Sequence, residues 1–398
     1  MKKLEYLQSV KGQMNSRCRR IANRGYFTVN QEPKSKNSIT QEEKIFFRRE
    51  IVNQLKERNK RAYRKDVILS VDFWITKKNA PAIHSLAKNY LDLLHKELLG
   101  VDSHSKILFK DDNQVKILII NYHINLEDEI GKIYIQTQSI GDLVKDLELA
   151  DSLDLEEENN YPSEFDTSLE SLRELEQIKH IVGKNYENLK RMWTQQVQKD
   201  FLKLHNIRTF GLISLFRSRF SSHNKFSKFP DLKDKLMEFE RLIVFSTNFL
   251  ELGQSPQQEG ETRIFKDAVK VKLNEFKVKY KLLFPLTTPI RVNILFIPPK
   301  SNIADLDNIA RYIIPFVNEV FHPPLNLQSY FDKSNADENE SKSKPLPPNS
   351  ISGYQIITIP RKETDDENGQ ILFVISDGLF TFDLWWEMDE IIDKWKER

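Results

Sequence analysis

The sequence predicts an α+β protein in which one helix–strand–helix–strand unit is used twice. Three observations predict it. Thr40–Lys60 has helical periodicity and is followed by the strand-like run Val67–Ile75, a helix over Ala82–Leu98 and a buried strand in the second half of Phe109–Tyr122. The same order returns as Glu261–Leu283, Ile290–Ile297, Asp305–Phe321 and the strand-like runs Ser352–Pro360 and Ile371–Ser376. The spacing also agrees, with 43 residues from Gln41 to His84 and 45 from Thr262 to Asp307.

Each element has a local reason. Ile45, Phe46, Arg49, Val52 and Leu55 form one stripe of the first helix, and Leu86, Tyr90, Leu93, Leu94 and Leu98 form one stripe of the next. Their counterparts in the second half carry Phe265, Ala268, Val269, Leu273 and Phe276, then the run Asp305–Phe321. Pro315 lies inside that last helix and is expected to kink it, because proline removes a backbone donor. ILSVDFWI and IRVNILFI are β-branched and aromatic runs of strand length. The end of the chain, FDLWWEMDEIIDKWKER, reads as an amphipathic helix in which Trp385 and Trp386 pack rather than stack on bases.

The chain has 398 residues, more than one ordinary domain needs. Its longest apolar runs, such as Ile117–Ile120, are far short of the ~20 residues that span a bilayer, so no transmembrane helix is expected. The start MKKLEYLQSVKGQM lacks the apolar core of a secretory signal. The single cysteine, Cys18, excludes a disulfide scaffold and a cysteine-based zinc cluster. A cytoplasmic protein is the expectation.

Charge is distributed in blocks. Met1–Lys65 holds 18 Lys/Arg against 6 Asp/Glu, 141–176 holds 2 against 13, and 177–228 holds 11 against 2. Basic faces attract polyanions, and phosphate neutralisation supplies most non-specific nucleic-acid affinity. Arg17, Arg19, Arg20, Lys190, Arg191, Arg217 and Arg219 are therefore the candidate nucleic-acid contacts. A solvated helix face is the plain alternative for any one such run. The acidic block, poor in aromatics, reads as a disordered or loosely helical linker. The expected organisation is a first unit over 1–135, an acidic linker over 136–176 and a basic helical segment over 177–250. A second unit over 251–380 follows, with a flexible insertion at 327–350, and then a C-terminal helix over 381–398.

Two constellations can carry chemistry. Asp305-Leu306-Asp307-Asn308 opens a helix, and carboxylates at i and i+2 there can converge on one hard divalent cation. Aspartate is also favoured at helix starts for capping alone. Asp111-Asp112-Asn113-Gln114-Val115 opens a strand, where a turn is the ordinary reading.

The combination of D-x-D-N opening a helix, a basic residue three positions after the Asn, and D-D-x-Q-V opening a strand resembles the RusA-type Holliday junction resolvases. The resemblance covers roughly Arg17–Tyr122 and Glu261–Ser376, with the segment between them outside it. It implies two RusA-like α/β domains in tandem with a helical insertion between them, an internal pseudo-dimer of a family that forms homodimers. It also implies a Mg²⁺-dependent (or Mn²⁺-dependent) endonuclease acting on branched DNA. The metal would be held by Asp305 and Asp307 and by Asp111 or Asp112. Lys88 and Arg311 stand at the family's basic position.

Neither half has the full set. The D-x-D-N counterpart in the first half reads Ala82-Ile83-His84-Ser85, and the D-D-x-Q-V counterpart in the second reads Ser352-Gly353-Tyr354-Gln355-Ile356. Three readings are open. The halves pool their acids in one composite site, which is expected to need an unusual geometry; or the site has decayed in a protein that only binds branched DNA; or a replacement such as Asp365 or Asp366 completes Asp305 and Asp307. A protein-interaction module unrelated to DNA is the remaining alternative.

Overall fold

The computed structural model describes residues 6, 9–76, 81–95, 107–124, 130–154, 164–203, 250–256, 260–300, 305–324, 351–361, 365–379 and 384–396. The first half contributes α1 (Val10–Asn23), β1 (Gly25–Val29), α2 (Gln41–Glu57), β2 (Val67–Ile75), α3 (Ile83–His95), β3 (Val115–Ile124), β4 (Lys132–Ser139) and α4 (Ile140–Asp154). Two further helices follow, α5 (Glu164–Gln177) and α6 (Tyr186–Lys203). The second half contributes β5 (Leu250–Gly253), α7 (Glu261–Lys279), β6 (Ile290–Ile297), α8 (Leu306–Phe321), β7 (Gly353–Thr358), β8 (Gln370–Asp377) and α9 (Leu384–Lys396). The fold is mixed α+β, as expected.

All eight strands form one mixed sheet in the order β1-β4-β2-β3-β7-β6-β8-β5. Within each half the two inner strands are parallel, β2 with β3 and β6 with β7, because α3 and α8 return the chain to the same end. β4 and β8 run antiparallel to them, and the edge strands β1 and β5 run antiparallel in turn to β4 and β8. The halves meet where β3 and β7 pair antiparallel. The two expected units are thus joined edge to edge in one sheet.

The registers fix which residues are equivalent. Val67 falls on Ile290, Ile83 on Leu306, Ile117 on Gly353 and Lys132 on Gln370. A pseudo-two-fold axis normal to the sheet passes between Ile119 and Gln355, which pair with each other. The side chains agree. Val71 and Phe73 share one core face with Ile294 and Phe296, while Ile68 shares the other with Leu295. This register corrects the expected counterpart of the second motif. With Ile117 on Gly353, the counterparts of Asp111 and Asp112 fall before residue 351, outside the described residues, and not at Ser352 and Gly353. The expected match is out by an odd number of residues, which would turn every side chain of the strand to the other face.

Each face of the sheet has its own core. On one lie α2, α3, α7 and α8, with Phe47, Leu86, Tyr90, Val269, Ile313 and Val317 buried. On the other lie α4 and α9, with Leu143, Leu147, Trp385 and Met388 buried. Burying a side chain of this size stabilises by about 1.5–3 kcal/mol. Thr40 starts α2 through a capping box with Glu43, and α8 runs through Pro315 to a left-handed stop at His322. At the seam a Cβ on Gly353 would meet the Ile120 carbonyl oxygen at 2.7 Å, so only glycine lets the strands close there.

Two sequence expectations change. The acidic block is not a linker where it is described. Ile140–Asp154 is a helix with Leu143, Leu147 and Ala150 buried against the sheet, and Glu164–Gln177 packs on α6. The repeat also pairs α4 with α9, so the acidic helix and the C-terminal helix are equivalent elements. The flexible insertion expected at 327–350 lies outside the described residues. So does most of the basic segment, from 204 to 249.

Candidate metal and phosphodiester site

The site lies at the seam and follows from its antiparallel geometry. α8 begins at the end of the sheet where β6 and β7 finish. Because β3 runs opposite to β7, β3 starts at that same end, and Ile117 pairs with Ile357. The turn Asp112–Gln114 before β3 therefore comes beside the start of α8. A composite site needs no unusual geometry; the antiparallel pairing of β3 with β7 in this register produces it.

Asp112, Asp305 and Asp307 each place a carboxylate oxygen within 4.8 Å of the others. Asp305 stands at the N-cap of α8 but its carboxylate accepts no hydrogen bond from a backbone N–H, so side-chain capping does not account for it. Its nearest partner is Asn308 Nδ2, 3.4 Å from Oδ2. Asp307, in the first turn, is only 3% exposed. Its Oδ2 lies 2.6 Å from Lys88 Nζ, and its Oδ1 has no hydrogen-bond partner. Lys88 comes from α3 and also lies 4.0 Å from Asp92.

The structure separates the two acids before β3. Asp111 accepts from the Asn113 backbone N–H and forms a capping box with Gln114. That backbone bond holds its pKa below the usual value. Asp112 points instead toward Asp305 and Asp307. His95 Nε2 lies 4.0 Å from its Oδ2, while His95 Nδ1 bonds the Leu91 carbonyl at 2.9 Å. Asp92, His95 and Asp112 form a second group of potential ligands that shares Asp112 with the first.

The electrostatics are those of crowded acids. At 4.8 Å, an ionised pair costs roughly 3–4 kcal/mol at an effective dielectric near 20. Burial, then the charges of Asp112 and Asp307, push Asp305 up to about 6. Asp112 is raised in the same sense, chiefly by burial. Burial opposes the charge of Lys88, but Asp307 and its neighbours outweigh it and the lysine is raised. The Tyr354 hydroxyl is buried without a hydrogen-bond partner and raised by burial and by the charge of Asp307.

These residues fit a hard divalent cation. All three donors are carboxylate oxygens, one of them an orphaned buried atom. Oxygens bound at about 2.0–2.1 Å to one Mg²⁺ lie at most about 4.2 Å apart, so small rotations of the side chains suffice. Asp365 and Asp366 do not join the group: Asp366 serves the turn before β8, accepting from the Asn368 N–H. Sequence reasoning missed Asp92, His95 and Tyr354. A lone histidine at the end of a helix gives no signal, and the turn that aims Asp112 at it lies 17 residues further on.

Two of the basic candidates are corrected. Arg17 and Arg20 are 3% and 5% exposed, and they pair with Asp389 and Asp393, and with Asp146. Buried in ion pairs, they are not free to meet phosphate. Arg19 is exposed, and Lys190 and Arg191 are half-exposed on α6, where Lys190 lies 3.8 Å from Glu176. Arg217 and Arg219 lie outside the described residues. A better basic surface is a groove of about 680 Å³ lined by Lys56, Lys60, Arg61, Arg64 and Lys110. Lys110 is adjacent in sequence to the turn that carries Asp112. Arg311, in α8, is exposed and lies near His84, which burial and then the arginine hold down to about 4.

No helix among the described residues is long and apolar enough to cross a membrane. Comparison with protein-family models, with curated proteins and with solved structures finds no match to the chain.

Proposed function

We propose that the chain is a RusA-like, structure-specific endonuclease that hydrolyses a phosphodiester bond of branched DNA with Mg²⁺ or Mn²⁺. The observation that carries this reading is the convergence of Asp112 from one half with Asp305 and Asp307 from the other, beside Lys88. When bound, the metal would acidify a water and neutralise charge on the scissile phosphate. Asp112, Asp305 and Asp307 would hold it. Lys88 would offset the charge that develops on the phosphate oxygens. His95 would orient Asp112. The water oxygen forms a bond to phosphorus, the opposite phosphorus–oxygen bond breaks, and the leaving oxygen takes up a proton. The groove lined by Arg61, Arg64 and Lys110 would carry the DNA backbone toward the acids.

The test is a labelled four-way junction and a matched linear duplex incubated in EDTA, Mg²⁺ and Mn²⁺. Metal-dependent cutting of the junction is expected. Asp112→Asn should remove it, whereas Asp111→Asn should keep it, since Asp111 caps a turn. Tight binding without cutting in either metal would make this a DNA-holding protein. No preference for DNA over another polyanion would leave an interaction module.

Neutralising Arg61, Arg64 and Lys110 together should weaken junction binding and lower the salt slope by about 1 for each phosphate that is no longer neutralised. An unchanged slope by titration at several salt concentrations would move the DNA path elsewhere.

The raised pKa of Asp305 gives a pH signature. An acid raised in the folded state keeps its proton as the unfolded chain, near pH 4, releases its own. Its contribution to stability is therefore full below about pH 4 and is lost as pH rises to about 6. In EDTA, the wild type should lose more thermal stability over this window than Asp305→Asn does. Mg²⁺ should restore it above pH 6, adding about 2.7 kcal/mol at a hundred times its Kd. Equal melting profiles for the two proteins, with and without Mg²⁺, would remove Asp305 from metal binding.

A further inference from the structure

We infer that Asp92, His95 and Asp112 form a second cation site, fitted to a first-row transition ion, that shares Asp112 with the site of Asp305 and Asp307. Binding of an ion there is independent of whether the chain cuts DNA.

α3 supplies two of the three ligands. Asp92 and His95 stand three residues apart and so lie on one face of the helix. Each is 8% exposed. The turn before β3 brings Asp112 to them, and one ligand atom from each of the three lies within 4.8 Å of the others.

The imidazole is set up as a ligand. His95 Nδ1 lies 2.9 Å from the Leu91 carbonyl oxygen, which only accepts, so Nδ1 carries the proton. In the neutral ring this leaves the lone pair on Nε2, the way metal-binding histidines are held. Phe109 stacks on the ring at 5.9 Å between centroids and fixes its plane. Nε2 faces Asp112 Oδ2 at 4.0 Å. That is too long for a hydrogen bond. It suits one ion between the two atoms, since nitrogen and oxygen ligands at about 2.0–2.2 Å from Zn²⁺ lie up to roughly 4.3 Å apart.

The neighbouring cations leave room for the ion. Lys36 Nζ lies 3.3 Å from Asp92 on an exposed side chain, which a divalent ion displaces into water. Lys88, 4.0 Å from Asp92, is held by Asp307 at 2.6 Å.

Donor type separates the two sites. Carboxylates alone suit Mg²⁺, whereas an imidazole nitrogen favours transition ions. Mg²⁺ therefore fills the site of Asp305 and Asp307 and leaves the one at His95 to the transition ion. Asp112 lies between them, and paired ions in two-metal sites stand about 3.5–4 Å apart.

The experiment loads the full chain, without a histidine tag, with Mn²⁺ in the presence of excess Mg²⁺ and reads the bound ion by pulsed electron paramagnetic resonance. One retained Mn²⁺ per chain is expected, with spin-echo modulation from a coordinated nitrogen. His95→Gln should remove the nitrogen modulation and weaken retention of Mn²⁺. Asp305→Asn should keep both, because it alters the other site. Retained Mn²⁺ without nitrogen modulation in the wild type would overturn the inference, and this reading needs no variant to fold. Complete displacement of Mn²⁺ by Mg²⁺, or modulation that survives His95→Gln, would overturn it as well. Junction cleavage in Mg²⁺ alone, with no Mn²⁺ retained, would remove this site and keep the endonuclease reading.

Discussion

Replacing Asp307 with asparagine is expected to lower metal-dependent cleavage about 10³-fold and to leave junction affinity within about twofold. The carboxylate is the most buried of the three, and one of its oxygens has no partner other than the cation it would bind. Losing one charged ligand weakens the stabilisation of the transition state by several kcal/mol, and each 1.36 kcal/mol is tenfold in rate. Asparagine keeps the shape and removes a charge from a crowded set, so the metal-free fold should hold. Junction binding, borne by the basic groove, should be nearly unchanged. Single-turnover cleavage and a binding titration in EDTA separate the two effects. Retained cleavage would take Asp307 out of the mechanism.

The second large effect concerns stability. Asp146→Ala is expected to destabilise the protein by about 3–5 kcal/mol. Asp146 is fully buried and accepts from Arg20 Nε at 2.5 Å, Arg24 Nη2 at 3.3 Å and Gln138 Nε2 at 2.9 Å. Gln138 in turn accepts from Trp385 Nε1 at 2.6 Å. Arg24 also reaches Asp389 in α9. The network ties α1, β4, α4 and α9 together. Removing Asp146 leaves two buried guanidinium groups short of a counter-charge. Burial would lower the pKa of Arg24, but its carboxylate partners outweigh that and hold it above its ordinary value. Chemical denaturation measures the loss directly. A change under about 1 kcal/mol, the range typical of exposed pairs, would show that water compensates the site.

This network also shows where sequence reading stops. Arg17 and Arg20 look like part of a basic block because a local count registers only sign. Their partners Asp146, Asp389 and Asp393 lie more than a hundred residues away along the chain. The acidic block misleads in the same way. Leu143, Leu147 and Ala150 mark a buried helix face, but thirteen acids in the wider segment outweigh them in any composition count. Strands β2 and β6 are legible to the residue because both of their faces are largely buried and each run is apolar but for two residues, Ser70 and Asp72 in β2 and Arg291 and Asn293 in β6. The short edge strands β1 and β5, of five and four residues, are too brief for alternation to register. In the site, the acids themselves are legible. Which of Asp111 and Asp112 faces the others is decided by one short turn, and their meeting with Asp305 depends on a strand pairing between distant parts of the chain.

The seam between β3 and β7 has a consequence for synthesis on the ribosome. Ile119 pairs with Gln355, so β3 has no neighbour on that side until the later strand is made. Translation at about 5–20 residues per second leaves this edge open for roughly 10–50 s. The edge is long and apolar, with Ile117, Leu118, Ile119 and Ile120 in succession and Lys116 as its one charge. Exposed edges of this kind recruit other strands. The nascent first half therefore needs protection for as long as its partner is still being translated, and slow translation of the second half would be paid for in aggregation.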